Sequence, residues 1–153
     1  GAKLFYENGN IQHVGVVINE DFLPDHISKN EPKETPGYFF SAVTNRNYLA
    51  VTGAVLMVRK KLFDKVEGFS EIFPINYNDI DFCLKLHKLN KRNVFTANAQ
   101  LYHFESISRE AYVSKKEINL FLKNWKKYLK NISRDPYYST FHQTKPPNFK
   151  IKV

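Results

Sequence analysis

Apolar residues cluster into short β-rich runs at the start of the chain and into helical spacing towards its end, with a punctuated polar stretch between them. Two β-rich runs, one around Leu4 and Phe5 and the other from Ile11 to Ile18, flank Asn8-Gly9-Asn10 and predict a hairpin. Over residues 19–47 the periodicity disappears. Pro24, Pro32, Pro36 and Gly37 punctuate this stretch and charges of both signs mix, which predicts a long loop with a short helix near Tyr38. A loop of this length is a substrate-facing lid or a plain surface excursion. Residues 50–58 are apolar at nearly every position, as in a strand covered on both faces. Thr52-Gly53 interrupts that run, marking either a bulge or a place where a ligand or another backbone comes close.

Residues 60–66 read as a short helix stopped by Glu67-Gly68, with Gly68 as its left-handed cap. A longer helix is predicted over residues 78–89, with Asn78 as N-cap and Asp79 and Asp81 placing negative charge in its first turn. Apolar residues surround it, so it is expected to be buried, with His87 as a core histidine. Residues 93–96 and 100–104 read as two short strands, the second carrying His103. The last helix, residues 114–131, begins with a Ser114/Glu117 capping box and carries the stripe Ile118, Phe121, Leu122, Trp125 and Leu129. The final residues, 139–153, are expected to be an extended tail.

In 153 residues, 42% hydrophobic and 15% aromatic, there is material for one sizeable core and one domain. The single Cys83 rules out an internal disulfide and is expected to be a buried thiol. A net charge of +8 is concentrated near the C-terminal helix, where Lys115, Lys116, Lys123, Lys126, Lys127 and Lys130 fall. These lysines form a solvated helix face or attract an anionic partner such as lipid head groups or a sugar nucleotide. Nucleic acid is not an expected partner, since no recognised motif accompanies the charge. No apolar run approaches the ~20 residues of a membrane-spanning helix and nothing reads as a signal peptide. The expected location is cytoplasmic, with peripheral contact at the inner face of a membrane.

The chemistry is expected in the middle of the chain. In order come Thr52-Gly53-Ala54, Val58-Arg59, Gly68-Phe69, Asn78-Asp79-Ile80-Asp81-Phe82-Cys83-Leu84, Tyr102-His103-Phe104-Glu105-Ser106 and Ser108-Arg109. This succession resembles the acceptor-side half of a family 2 glycosyltransferase of GT-A fold. The opening Leu4, Tyr6, Gly9, Ile11-Gln12-His13 and Gly15, and the later Asp135-Pro136-Tyr137-Tyr138, are similar to the same family. The resemblance implies an α/β fold, a partial GT-A (Rossmann-like) mixed sheet flanked by helices, with the N-terminal nucleotide-binding half absent. Its substrates would be a nucleotide-sugar donor and a glycan or lipid-linked acceptor.

Family members carry an acidic pair at this helix start, the second member being the catalytic base; here the pair reads Asn78-Asp79. An inverting transfer needs a carboxylate on the attacking hydroxyl, and Asp79 with a near-normal pKa of about 3.9 would serve. Thr52, Gly53 and Asn78 would lie on the acceptor side, and Arg109 would meet a phosphate. His103 would help hold a divalent metal (Mn²⁺ or Mg²⁺), or else form a hydrogen bond at the cleft edge. His13 is expected to be structural. His26, Gly37-Tyr38 and Arg46-Asn47 match residue types that the family places near the acceptor. No DXD lies outside Asp79-x-Asp81 and there is no Gly-rich phosphate loop. An isolated half of this kind is expected to be inactive and to self-associate. The competing expectation is a silent binding module that keeps the shape without the activity.

Overall fold

The computed structural model describes residues 1–104 and 113–152. Strands β1 (Ala2–Phe5) and β2 (Ile11–His13) form the expected antiparallel hairpin, with Gly9 in the positive-φ conformation that its turn requires. β1 also pairs in parallel with the long strand β6 (Asn93–Tyr102). β6 is bordered on its other side by the antiparallel β5 (Arg46–Tyr48), giving a mixed sheet in the order β2-β1-β6-β5. β3 (Val16–Ile18) pairs with β4 (Pro24–His26), and β7 (His142–Thr144) pairs with β8 (Pro147–Ile151). Three helices, α1 (Lys60–Lys65), α2 (Asn78–Lys88) and α3 (Lys115–Asn131), complete the mixed α/β architecture expected of a partial GT-A fold.

A buried amide joins the layers. Asn93 Nδ2 donates to the Leu49 carbonyl at 2.8 Å and to the Cys83 carbonyl at 3.1 Å, tying the start of β6 to α2 and to the segment after β5. Cys83 lies inside this core, where burial pushes its thiol up to about 12, so it is inert as a nucleophile. α3 docks through Phe121, Trp125 and Leu129, all buried. Its capping box is present, and the Glu117 carboxylate also accepts from the Asn76 N–H at 3.0 Å, fixing the loop ahead of α2. His87 joins the same contact from α2, its Nδ1 lying 2.6 Å from the Tyr128 hydroxyl.

Several expectations are corrected. Residues 50–58 do not form a strand: Ala50 makes one isolated bridge to Val16, and a 3₁₀ turn follows at Gly53–Val55. The polar pair is the reason, because Thr52 Oγ1 accepts from the Ala54 N–H and competes with a sheet ladder. Beyond that turn Met57 is 95% exposed, which a doubly covered strand would not allow. Asn78 does not cap α2. Tyr77 does so in a left-handed conformation, which moves Asn78 and Asp79 into the helix itself. The two strands expected over residues 93–104 are one strand with a bulge, where Ala2 faces Thr96 but Lys3 faces Gln100. The stretch 19–47 contains β4 and the start of β5, whose short runs lack a readable period.

The tail is not free either. β7 and β8 fold back so that Phe149 stacks on Tyr38 at 5.0 Å, and the Tyr138 hydroxyl accepts from the Phe149 N–H. Asp135, buried ahead of this hairpin, accepts from the Ile18 N–H and the Tyr137 N–H, each at 2.9 Å. Burial raises its carboxyl to about 6, against the pull of those two bonds.

Asp135→Ala leaves both N–H groups without a partner and should cost about 2–4 kcal/mol, read as a lower urea midpoint at unchanged slope. Between the ordinary carboxyl value of 3.8 and about 6 the folded chain holds a proton that the unfolded chain has lost. This group's contribution to stability therefore falls as pH rises through that window, and wild type should lose ground to Asp135→Asn across it.

Candidate active site

Asp79 stands in the first turn of α2 and its carboxylate is held from two sides. Oδ2 accepts from the Gly53 N–H and Oδ1 from the Ile80 N–H, both at 2.8 Å. Burial raises its pKa above the ordinary 3.8, opposed by those backbone bonds and by the Thr52 hydroxyl. The environment thus corrects the expectation of a near-normal value. A carboxylate oxygen keeps a further lone pair when one N–H is bound, so both oxygens can still accept a proton. Gly53 is tight: a Cβ there would come within 3.0 Å of the Asp79 Cβ.

Thr52 connects this carboxylate to a row of histidines. Its N–H points to His13 Nε2 at 3.4 Å, and His13 Nδ1 lies 3.0 Å from His26 Nδ1. Burial, followed by the neighbouring His26, holds the His13 pKa well below its usual value. Burial, followed by Lys29, brings His26 down to about 4, so both rings are neutral at pH 7. The backbone donor then sets the tautomers. His13 must accept at Nε2 and donate from Nδ1, and His26 must accept at Nδ1 and carry its proton on Nε2. His13 is accordingly structural, as expected, and it transmits the orientation of Thr52 to His26.

His103 is fixed from the opposite side by Gln12, whose Nε2 donates to the His103 carbonyl at 3.1 Å. That bond settles the amide orientation and places Oε1 2.8 Å from His103 Nδ1. Nδ1 therefore donates to Gln12, and Nε2 is the ring nitrogen left for another partner. Tyr6, Gln12, His26, Lys29, Thr52 and His103 line a pocket of about 50 Å³. Asp79 lies just beyond Thr52, joined to it through Gly53.

The structure thus brings together Asp79, Thr52, Gly53 and His103 from the sequence-predicted set. Asn78 adjoins Asp79 in α2, and its side chain makes no hydrogen bond among the described residues. Arg109, with Glu105, Ser106 and Ser108, lies outside the described residues. Of the loop residues singled out in sequence, His26 reaches the pocket, whereas Tyr38 and Arg46 pack against Phe149 of the C-terminal hairpin. Sequence reasoning missed Gln12, Lys29 and Tyr6. The word Gln12-His13 held the usable signal, since neighbouring strand residues point to opposite sides and can grip two partners.

As a metal site the arrangement is partial. His103 Nε2 suits one imidazole ligand, but no group of three or more His, Cys, Asp or Glu side chains comes together for a metal among the described residues. A larger groove of about 600 Å³ lies elsewhere, with Val51, Leu56 and Phe82 in its lining and Arg59, Lys65 and Lys91 among its cations. Its lining among the described residues contains no carboxylate or imidazole to serve as a base or a ligand. No helix among the described residues is long and apolar enough to cross a membrane.

No solved structure matches the chain. The uncharacterized protein y4gI of Sinorhizobium fredii (strain NBRC 101917 / NGR234) is 44% identical over 110 residues, which are 71% of this chain and 12% of that protein. The O-antigen biosynthesis protein RfbC of Myxococcus xanthus is 35% identical over 114 residues, 72% of this chain and 9% of that protein. The chain therefore spans about a tenth of the length of these curated relatives. The profile of glycosyl transferase family group 2 matches residues 9–149, a stretch that holds Asp79, His26 and His103 alike, and the chain belongs to that family of glycosyltransferases.

Proposed function

We propose that this chain is the acceptor-side portion of an inverting, sugar-nucleotide-dependent glycosyltransferase that builds a bacterial surface polysaccharide or related glycan, with Asp79 as general base. The observation that carries the reading is the Asp79 carboxylate, oriented by the Gly53 and Ile80 N–H groups and raised in pKa by burial. A carboxylate of raised pKa takes a proton more readily than an ordinary aspartate. The family supports transfer of a sugar, and the name of the Myxococcus xanthus relative supports polysaccharide synthesis.

In this mechanism an acceptor hydroxyl oxygen attacks the anomeric carbon of the donor as its proton passes to Asp79. The new bond joins that oxygen to the anomeric carbon. The bond from the carbon to the diphosphate oxygen breaks on the opposite face, inverting the centre. Thr52, Gly53 and the Asn78 amide would orient the acceptor, and Arg109 would meet a phosphate. His103 Nε2 would contribute one ligand to a divalent ion (Mn²⁺ or Mg²⁺), the others coming from a DXD-bearing half, and the ion would supply charge neutralisation for the departing diphosphate. Without that half the chain would be inactive and prone to self-association. The cation-rimmed groove and the lysines of α3 favour contact with an anionic membrane surface at the cytoplasmic side.

In the full-length enzyme Asp79→Asn should lower kcat about 10²–10⁴-fold while leaving thermal unfolding nearly unchanged. Turnover within a few-fold of wild type would return Asp79 to a purely structural role. Protonation removes the base, so activity should fall as pH drops through the Asp79 pKa. Because burial raises that pKa above 3.8, the acid limb of kcat/KM should lie above pH 3.8.

Gly53→Ala places its new methyl group 3.0 Å from the Asp79 Cβ and should push the carboxylate out of line. A loss of about 10²-fold in kcat is expected, with far-UV circular dichroism unaltered. His103→Ala should weaken nucleotide binding in the presence of Mn²⁺ more than without metal, as measured by calorimetric titration. Equal losses in the two conditions would mark His103 as a cleft residue and not a ligand.

A further inference from the structure

The start of α2, the helix that carries Asp79, is not the start that the local sequence favours. Asn78 is a strong N-cap residue, whereas Tyr77, which caps the helix, makes no side-chain bond to the first turn and stands in the left-handed region at φ 65°. That region is unfavourable for a residue with a Cβ, and tyrosine lacks the short polar side chain with which asparagine offsets it. Tyr77 is therefore held from outside the helix, and its contacts identify the holder as α3. Glu117 Oε1 accepts from the Asn76 N–H at 3.0 Å, and the Asn76 side-chain Nδ2 donates to Oε1 at 3.3 Å and to Oε2 at 3.2 Å. One turn further along α3, the Phe121 ring meets the Tyr77 ring at 4.8 Å. The Tyr77 carbonyl then accepts the first helical bond, from the Asp81 N–H at 2.8 Å. Glu117 also closes the capping box of its own helix, its Oε2 accepting from the Ser114 hydroxyl at 2.9 Å.

Two starts of α2 thus compete. With Tyr77 as cap, Asn78 is helical and the Asp79 carboxylate meets the Gly53 and Ile80 N–H groups. With Asn78 as cap, its side-chain oxygen would take the N–H of Ile80 or Asp81, and Asp79 would become the first helical residue. The second arrangement draws on a donor that now holds Asp79 and turns the carboxylate away from Gly53.

We propose that Glu117 is a positioning residue for Asp79: by clamping Asn76 it selects the Tyr77 start of α2 over the Asn78 start, which keeps the Asp79 carboxylate on the Gly53 N–H. Glu117 acts through Asn76 and Tyr77 and not on the substrate. The consequence for catalysis rests on the reading of Asp79 as the base; the selection between helix starts does not.

Backbone NMR of the 153-residue chain labelled with ¹³C and ¹⁵N reads the selection directly. In wild type the Asn78 carbon shifts should be helical and the Gly53 N–H displaced downfield by its bond to a carboxylate. Glu117→Ala should move the Asn78 shifts to extended values and return the Gly53 signal towards that of a solvated amide. Adding Asn78→Ala to Glu117→Ala removes the rival cap and should bring the Gly53 signal back towards wild type. Glu117→Asp, which keeps the charge but draws it back by one methylene, is the milder cut and should move both signals the same way, keeping the test open if Glu117→Ala does not fold. Ser114→Ala is the control: it breaks the capping box and leaves Asn76 on Glu117, so it should lower the melting temperature without moving Asn78 or Gly53. In the full-length enzyme Glu117→Ala should lower kcat about 10-fold through the misplaced carboxylate.

Unmoved Asn78 and Gly53 signals in both Glu117 variants, or equal movement in Ser114→Ala, overturns the proposal. Asp79→Asn separates it from the catalytic reading. Wild-type turnover in that variant, with the NMR movements as expected, would remove the base and leave the selection by Glu117 standing.

Discussion

Two consecutive backbone N–H groups, those of Thr52 and Gly53, donate to different partners, and the candidate site depends on that divergence. The Thr52 N–H goes to His13 and the Gly53 N–H to Asp79. Neither group takes part in a sheet ladder, because the chain leaves the bridge at Ala50 and turns at Gly53–Val55. Thr52 is half-buried and Gly53 exposed, so the two bonds act by orientation: one corner of backbone aims two adjacent donors at two side chains and holds both in place. One partner is the proposed base. The other begins the relay that sets the proton positions of His13 and His26.

Asp79 and Asp81 show how two residues of turn can separate two tasks. Asp81 is buried, accepts from the Trp125 indole N–H at 2.8 Å and pairs with Lys85 at 3.1 Å, which joins α2 to α3. Oδ1 takes the indole hydrogen bond and Oδ2 faces the Lys85 ammonium, so removing either partner would leave a buried oxygen uncompensated. Asp79 faces the other way. It is held by the Gly53 and Ile80 N–H groups with the Thr52 hydroxyl beside it. The helix supplies both positions, while the packing of α3 on one side and the Thr52-Gly53 corner on the other decides which carboxylate is structural.

The basic character of the chain divides in a similar way. Lys126 and Lys88 lie over aromatic rings, of Phe22 and of Trp125 and Tyr128, so part of the positive charge on and around α3 is involved in packing. Lys29 lines the small polar pocket and Arg59, Lys65 and Lys91 the larger apolar groove. Net charge alone could not distribute these roles, since it states how much positive potential there is and not what lies under it.

The hairpin around Asn8-Gly9, the helices at residues 60–65, 78–88 and 115–131, the capping box at Ser114 and the burial of Cys83 were all legible in the sequence. Each follows from local periodicity or from a side chain reaching its own neighbours. The family-like word Asn78-Asp79 pointed to the residue that the proposed mechanism uses as its base. What the sequence could not reveal was the single bulged β6, the loss of the expected strand at residues 50–58, the folding back of the tail, and the meeting of Gln12, His26, Lys29 and His103. All of these turn on partners far apart in the chain: Gln12 and His103 are 91 residues apart and Ile18 and Asp135 are 117. Spacing along a chain encodes which way a side chain leaves a helix or strand, and so determines elements and caps. Tautomers, pKa direction and the sharing of a backbone donor arise only when desolvated groups from separate elements close on one another, and that only the tertiary structure decided.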